Sequence, residues 1–246
     1  MNHLQRGIAS FFAILIVFQI VLLLPAYSVP SDLNHADVTV YTHNHYPTSL
    51  SDDVWEVYEE RSALILQALD FYNYSAYGLY PIAPSTAKYN CHSYAWYDRS
   101  STNIIWINNP IAFVTDATPI TASNVQPGDI VVYTEQGDII HSAVVESISG
   151  GELVLVSKWG EAGVYRHTLY QNPYSPPDVQ SVVSYYRIEC KYNHYYTDLG
   201  RTKHQATCWC GNSIVEEHSM IASGNLFVCS KCGHSVEMWS NEPVTE

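Results

Sequence analysis

The chain has 246 residues, of which 11 are Lys or Arg and 24 are Asp or Glu, giving a formal net charge of −13. A surface that acidic, with no run of basic residues, excludes nucleic acid as a partner, because nothing offers cations to phosphates. The length suits one ordinary domain and a small one, and the apolar fraction suits a real core.

Residues 1–28 read as a secretory signal peptide. Arg6 precedes an apolar run from Ile8 to Leu24, broken only by Ser10 and Gln19. Pro25 ends the run, and Ala26 and Ser28 supply small residues, with cleavage expected after Ser28. The run is also long enough for an uncleaved anchor, the one form in which a membrane is an expected partner. Either form places the folded chain outside the cytoplasm, secreted or on a cell surface. Residues 29–50 are polar and read as a linker. His43 and His45 within it could bind metal, but a solvated loop is the simpler reading.

Residues 51–189 are expected to form an α+β domain. Ser51 to Tyr72 reads as a helix, with Asp53 and Glu56 as a capping pair and Val54, Val57, Leu64, Ile65, Ala68 and Leu69 at helical spacing. After a Tyr/Pro/Ser-rich loop comes YNCHSYAW, in which Asn90 is a good cap residue and Cys91 the first helical residue. From Val125 the pattern becomes short apolar runs between glycine turns: Asp129–Thr134, Ile139–Ser147, Glu152–Trp159 and, after NPYSPPD, Val182–Glu189. Such spacing predicts an antiparallel meander.

Cys91 is a candidate nucleophile. A thiol attacks as thiolate, and either a helix N-terminus or a histidine that takes the proton can supply one. His141 opens an apolar strand straight after a turn and is the best-placed base. His92 would point about 100° away from Cys91 on a helix. Disulfide pairing of Cys91 with Cys190, or simple burial, are the alternatives.

The set YNCHSYAW, PGDIVVY, IHSAVVES and VSKWG resembles the papain-like amidases of the NlpC and CHAP type, over roughly Pro81 to Ile188. That resemblance implies a papain-like half-barrel of antiparallel strands with the nucleophile, Cys91, at a helix N-terminus and His141 as base. It also implies hydrolysis of an amide bond in a peptide or in peptidoglycan. The family's orienting residue on the next strand is where this sequence departs. If the hairpin turns about Gly150, Ser157 and Trp159 share a face with His141. If the register slips by one, Lys158 does, and an ammonium cannot accept a hydrogen bond. His167 is a further candidate. The weak third position leaves a second hypothesis open, an inactive module kept for extracellular binding. The acidic surface also argues against tight binding to an anionic cell wall.

The tail, residues 190–240, holds five of the six cysteines and few aliphatic residues. HQATCWCG and HSMIASGNLFVCSKCG each give a His, a gap and two close cysteines before Gly. This resembles a degenerate pair of zinc knuckles, a zinc-ribbon-like module with a structural zinc. The first-choice ligands are Cys208, Cys210, Cys229 and Cys232, with His204 or His218 as alternates. Disulfides between the halves are the competing account. A third hypothesis is a zinc-dependent enzyme working from the tail, which requires an open coordination position.

Overall fold

The computed structural model describes residues 33–175 and 182–237. The expected signal peptide and its cleavage point lie outside them. Among the described residues, no helix is long and apolar enough to cross a membrane. The chain divides into two compact units, one of residues 33–42 and 47–188, the other of residues 43–46 and 189–237.

The first unit contains a small antiparallel sheet of β1 (His35–Asp37), β2 (Val54–Val57) and β3 (Ile105–Ile107), in that order. Its main element is a six-stranded antiparallel sheet. Five of its strands are β4 (Thr118–Ile120), β5 (Ile130–Glu135), β6 (Asp138–Ser149), β7 (Glu152–Lys158) and β8 (Val164–Thr168). The sixth is β9 (Val182–Arg187), and the order is β4-β9-β5-β6-β7-β8. Gln136 and Gly137 both take positive φ, as do Gly150 and Gly151. These are the two-residue turns whose twist matches that of the flanking strands. Asp129 and Arg187 form a bidentate pair at 2.8 Å that ties the start of β5 to the end of β9.

Each face of this sheet has its own apolar cluster. Val131, Tyr133, Ala143, Val145, Leu155, Trp159 and Tyr165 lie on one side, with Leu69 and Tyr77 of α1 (Ala63–Tyr77) packed against them. Ile130, Val132 and Val144 lie on the other, with Ala95 and Trp96 of α2 (Cys91–Trp96) and Phe113 of α3 (Ile111–Asp116). Asp70 anchors α1, taking hydrogen bonds from Ser85, Tyr165 and the Gly163 N–H. Gly163 tolerates nothing larger, since a Cβ there would lie 2.5 Å from Pro81 Cβ and 2.6 Å from the Ala83 carbonyl.

The second unit is two three-stranded antiparallel sheets. One joins β10 (Tyr195–Asp198), β11 (Lys203–Thr207) and β12 (Ser213–Glu217). The other joins β13 (Met220–Ser223), β14 (Leu226–Cys229) and β15 (Ser235–Glu237).

This architecture corrects the expected fold class. Strands take 39% of the described residues and helices 17%, spread over several antiparallel sheets, and an α+β papain-like half-barrel is not what the chain forms. The helix expected over Ser51–Tyr72 is the clearest error. Asp53 has φ 47°, Val54–Val57 is a strand paired with β1 and β3, and the helix starts only at Ala63. Val54 and Val57 fit a helical period, but a short apolar run cannot settle its own period. Trp55 opposite Trp106 in the β2–β3 ladder decides it by pairing. Asp53 and Glu56 therefore do not cap α1, whose N-cap position is Ser62.

Candidate functional site

Cys91 is the first residue of α2. Asn90 caps that helix, its Oδ1 accepting from the Ser93 N–H at 3.1 Å, while its Nδ2 donates to the Ile107 carbonyl at 2.6 Å. The helix docks on β6 through a closed chain of donors. Trp96 Nε1–H donates to Ser142 Oγ at 2.9 Å, and Ser142 Oγ lies 2.9 Å from His92 Nδ1. The other nitrogen of His92 bonds the Ile139 carbonyl, so it carries the proton and Nδ1 accepts. Burial holds His92 neutral, down to about 3. His92 is thus a docking residue, as its direction on the helix suggested.

The Cys91 sulfur meets the backbone N–H groups of Ser142 and His92. Burial nevertheless pushes the thiol up to about 11, with the N–H groups and Lys158 acting in the opposite sense. It is a thiol at neutral pH while the site is closed.

His141 is fully buried on β6, directly before Ser142. A bulge makes this orientation, because Tyr133 pairs with His141 and Thr134 with Ile139, leaving Ile140 unpaired. His141 then faces the α1 side of the sheet, where its Nε2 lies 3.0 Å from Ser157 Oγ. Ser157 Oγ also lies 2.7 Å from His167 Nε2 and accepts from Trp159 Nε1–H at 3.0 Å.

The protons in this network are fixed by what each atom can do. The Thr168 carbonyl only accepts, so His167 Nδ1, 2.7 Å away, carries a proton. Burial lowers His167 to about 4, so its ring is neutral and Nε2 accepts from the Ser157 hydroxyl. Ser157 Oγ is left as an acceptor, and His141 must donate to it through Nε2–H. Burial, with the rings of His167 and His92, holds His141 well below its ordinary value. Its Nδ1 therefore bears a lone pair, and that atom is buried without a partner. Tyr174 stacks flat on the ring, with centroids 3.8 Å apart and planes 8° apart. A histidine held by one nitrogen with the other free is the form a general base requires.

The register at the Gly150–Gly151 turn alone would put Lys158 on the face of His141; a bulge at Glu146 shifts it by one residue, so Ser157 meets His141 and Lys158 falls on the other face. Lys158 is fully buried, its Nζ donating to the Thr86 carbonyl at 2.8 Å and the Gly160 carbonyl at 2.6 Å. It sits 5.1 Å over the Tyr89 ring, two residues before Cys91. Burial lowers it to about 7, while Glu161, Cys91, Glu60 and Asp70 act to raise it. Among the described residues no hydrogen bond joins Cys91 to His141. Their link is the peptide that joins His141 to Ser142, whose N–H meets the sulfur.

A cleft of about 590 Å³ is lined by residues adjacent in sequence to this site, though by neither Cys91 nor His141. Asn108 and Asn109 line it directly after Ile107, the partner of Asn90. Ile139 and Ile140 line it directly before His141. Asp53, Glu135 and Asp138 give it a negative rim, and the Asn108 Oδ1 is buried without a partner.

In the second unit the four first-choice ligands do not meet. Cys208 and Cys210 cluster with His43 and Cys190, whereas Cys229 and Cys232 cluster with His204 and His218. Each set could hold a metal ion, its donor atoms all lying within 4.8 Å of one another. All six cysteines are free, so neither Cys91 nor the tail is in a disulfide. Spacing could not pair the ligands correctly, because the two strand sets separate the halves of the tail. His43 was discounted as a solvated loop, and no local signal near it marks a ligand.

Comparison of the chain with protein-family models, curated proteins and solved structures gave no match.

Proposed function

We propose that the chain is a secreted or surface-attached cysteine hydrolase that cleaves an amide bond in a peptide or in peptidoglycan. The observation that carries this reading is the His141 tautomer: Nε2–H is engaged by Ser157, and Nδ1 is buried with a free lone pair. In this mechanism Cys91 and His141 meet at the edge of β6, which β7 pairs only from Val144 on, and Nδ1 takes the thiol proton there as the sulfur attacks the carbonyl carbon. The same proton then passes to the leaving amine, and water hydrolyses the thioester. Ser157, backed by His167 and Trp159, does the orienting that a carboxylate or amide does elsewhere. Lys158 supplies positive charge on the Cys91 side, and its third N–H is available as negative charge develops on the sulfur.

Both reacting groups are buried, so a substrate reaches them only once their cover moves. Tyr174, flat on His141, is the first element that must shift. The neighbouring cleft suits a neutral or cationic segment, because its acidic rim repels anions. A thiol-reactive peptide probe tests the proposal. Labelling of folded wild type well above that of Cys91→Ala supports it; equal labelling of the two sinks it.

The second unit is proposed to hold structural zinc at His204, His218, Cys229 and Cys232. His204 Nε2 bonds Glu216 Oε1 at 2.9 Å and His218 Nε2 bonds the Gly200 carbonyl at 2.7 Å. Both Nδ1 atoms therefore turn inward, 3.2 Å from each other, with Cys232 Sγ 3.3 Å from one and Cys229 Sγ 3.8 Å from the other. Two facing lone pairs need a positive charge between them. Zinc–nitrogen and zinc–sulfur bonds at the tetrahedral angle put donor atoms about 3.3–3.8 Å apart, which matches. The carboxylate behind His204 is the partner that orients a metal-bound imidazole. Four protein ligands leave no open position, which favours a structural over a catalytic metal.

A further inference from the structure

We infer that the second unit carries a second zinc site, at His43, Cys190, Cys208 and Cys210, closed by a residue from the stretch before the first unit's main sheet. His43 Nε2 lies 3.3 Å from Cys190 Sγ, and Cys190 Sγ lies 3.4 Å from Cys210 Sγ. Those separations match neighbouring donors on one tetrahedral zinc and are far beyond a disulfide bond of about 2.05 Å. N–H groups converge on the sulfurs, while Cys208 Sγ also lies 3.6 Å from Asn44 Oδ1. Asn212 Nδ2 points at Cys190 Sγ at 3.5 Å, the Asn212 backbone N–H at Cys210, and the Cys210 N–H at Cys208. A bound metal takes these three sulfurs as thiolates, whose mutual repulsion its charge offsets. A Cys₃His set of soft donors selects zinc over magnesium or calcium.

The approach of His43 is built rather than incidental. Asn44 Nδ2 donates to the Glu189 carbonyl at 3.0 Å, and its Oδ1 accepts from the Lys191 N–H at 2.6 Å. His45 stacks on Trp209 at 4.0 Å, and His194 stacks on the same indole at 3.5 Å. Residues 43–46 thus form one edge of a cluster whose other members come from 189–212. A metal there converts a four-residue excursion of the chain into a fixed part of the second unit. This site is independent of the hydrolase and of the His204/His218 zinc, and it fails separately from both.

Zinc counted per chain in the full-length protein, after desalting, tests it. The expected result is two zinc ions in wild type, one in His43→Gln and one in Cys190→Ser. Cys229→Ser should also hold one, removed from the other site. Because a variant could misfold, cobalt replacement in wild type gives a second readout. Five thiolates shared by two cobalt ions should give over twice the thiolate-to-cobalt absorption of the two-thiolate site alone. One zinc in wild type, retained in Cys190→Ser and lost in Cys229→Ser, would overturn the second site. A Cys190–Cys210 disulfide in the unreduced protein, seen as linked peptides by mass spectrometry, would overturn it equally.

Discussion

The two units are stabilised by different physics. In the first, both faces of a six-stranded sheet bury continuous apolar clusters, and its buried polar residues form chains around Ser142 and Ser157 that leave His141 Nδ1 unpaired. In the second, the fully buried side chains are few, and Cys208, Cys229 and His204 are among them. The difference teaches that a histidine or cysteine means different things in the two places. In the first unit, burial keeps His92, His141 and His167 neutral and leaves His141 Nδ1 with an unpaired lone pair. In the second, the same residue types take the place of a core.

That contrast can be broken first by removing metal. Chelation should unfold the second unit and leave the first folded, since structural zinc supplies about 10–16 kcal/mol in such modules. Residue-resolved hydrogen exchange before and after chelator checks this; uniform loss of protection in both units contradicts it. Next in size, Leu155→Ala in the first unit's core should cost about 2–5 kcal/mol, read as a drop in its own unfolding transition alone.

A third test concerns acid. His92, His141 and His167 have folded values below the unfolded 6.5, so the unfolded chain binds protons that the fold excludes. Stability is therefore full above about 6.5 and falls as pH drops through that value toward 3 to 4. Thermal unfolding of the first unit across this range checks the sign; a Tm that rises toward pH 4 contradicts it. The smallest effect is expected from Ser157→Ala. The fold should survive, and Cys91 acylation should slow by about 10–100-fold, because His141 loses its holder but keeps its position on β6.

The sequence carried some of this and lacked the rest for physical reasons. Gly137 and the Gly150–Gly151 pair mark turns wherever they occur, so β5, β6 and β7 were legible within a residue or two. The choice between Ser157 and Lys158 stayed open in the sequence, because it is made by a bulge at Glu146 that no turn residue marks. The stretch after Ser51 was misread because Val54 and Val57 satisfy two periods, and the pairing of Trp55 with Trp106 is about fifty residues away in sequence. His167 entered only as an alternative, and its role as acceptor for the Ser157 hydroxyl depends on the Thr168 carbonyl. Most of the residues that could hold a metal were named, yet grouped otherwise than the structure groups them. Which cysteine meets which histidine is decided by two separate sheets and by an arm from residue 43, none of which spacing encodes.

The most direct measurement is the rate at which an activated acyl donor loads Cys91, followed by intact mass in wild type and in His141→Ala across pH. The account expects a single thioester on Cys91 in wild type and loading about 10²–10⁴-fold slower at neutral pH in the variant, with the gap narrowing as rising pH ionises the thiol. Equal loading of the two proteins at neutral pH would contradict the assignment of His141 as the base.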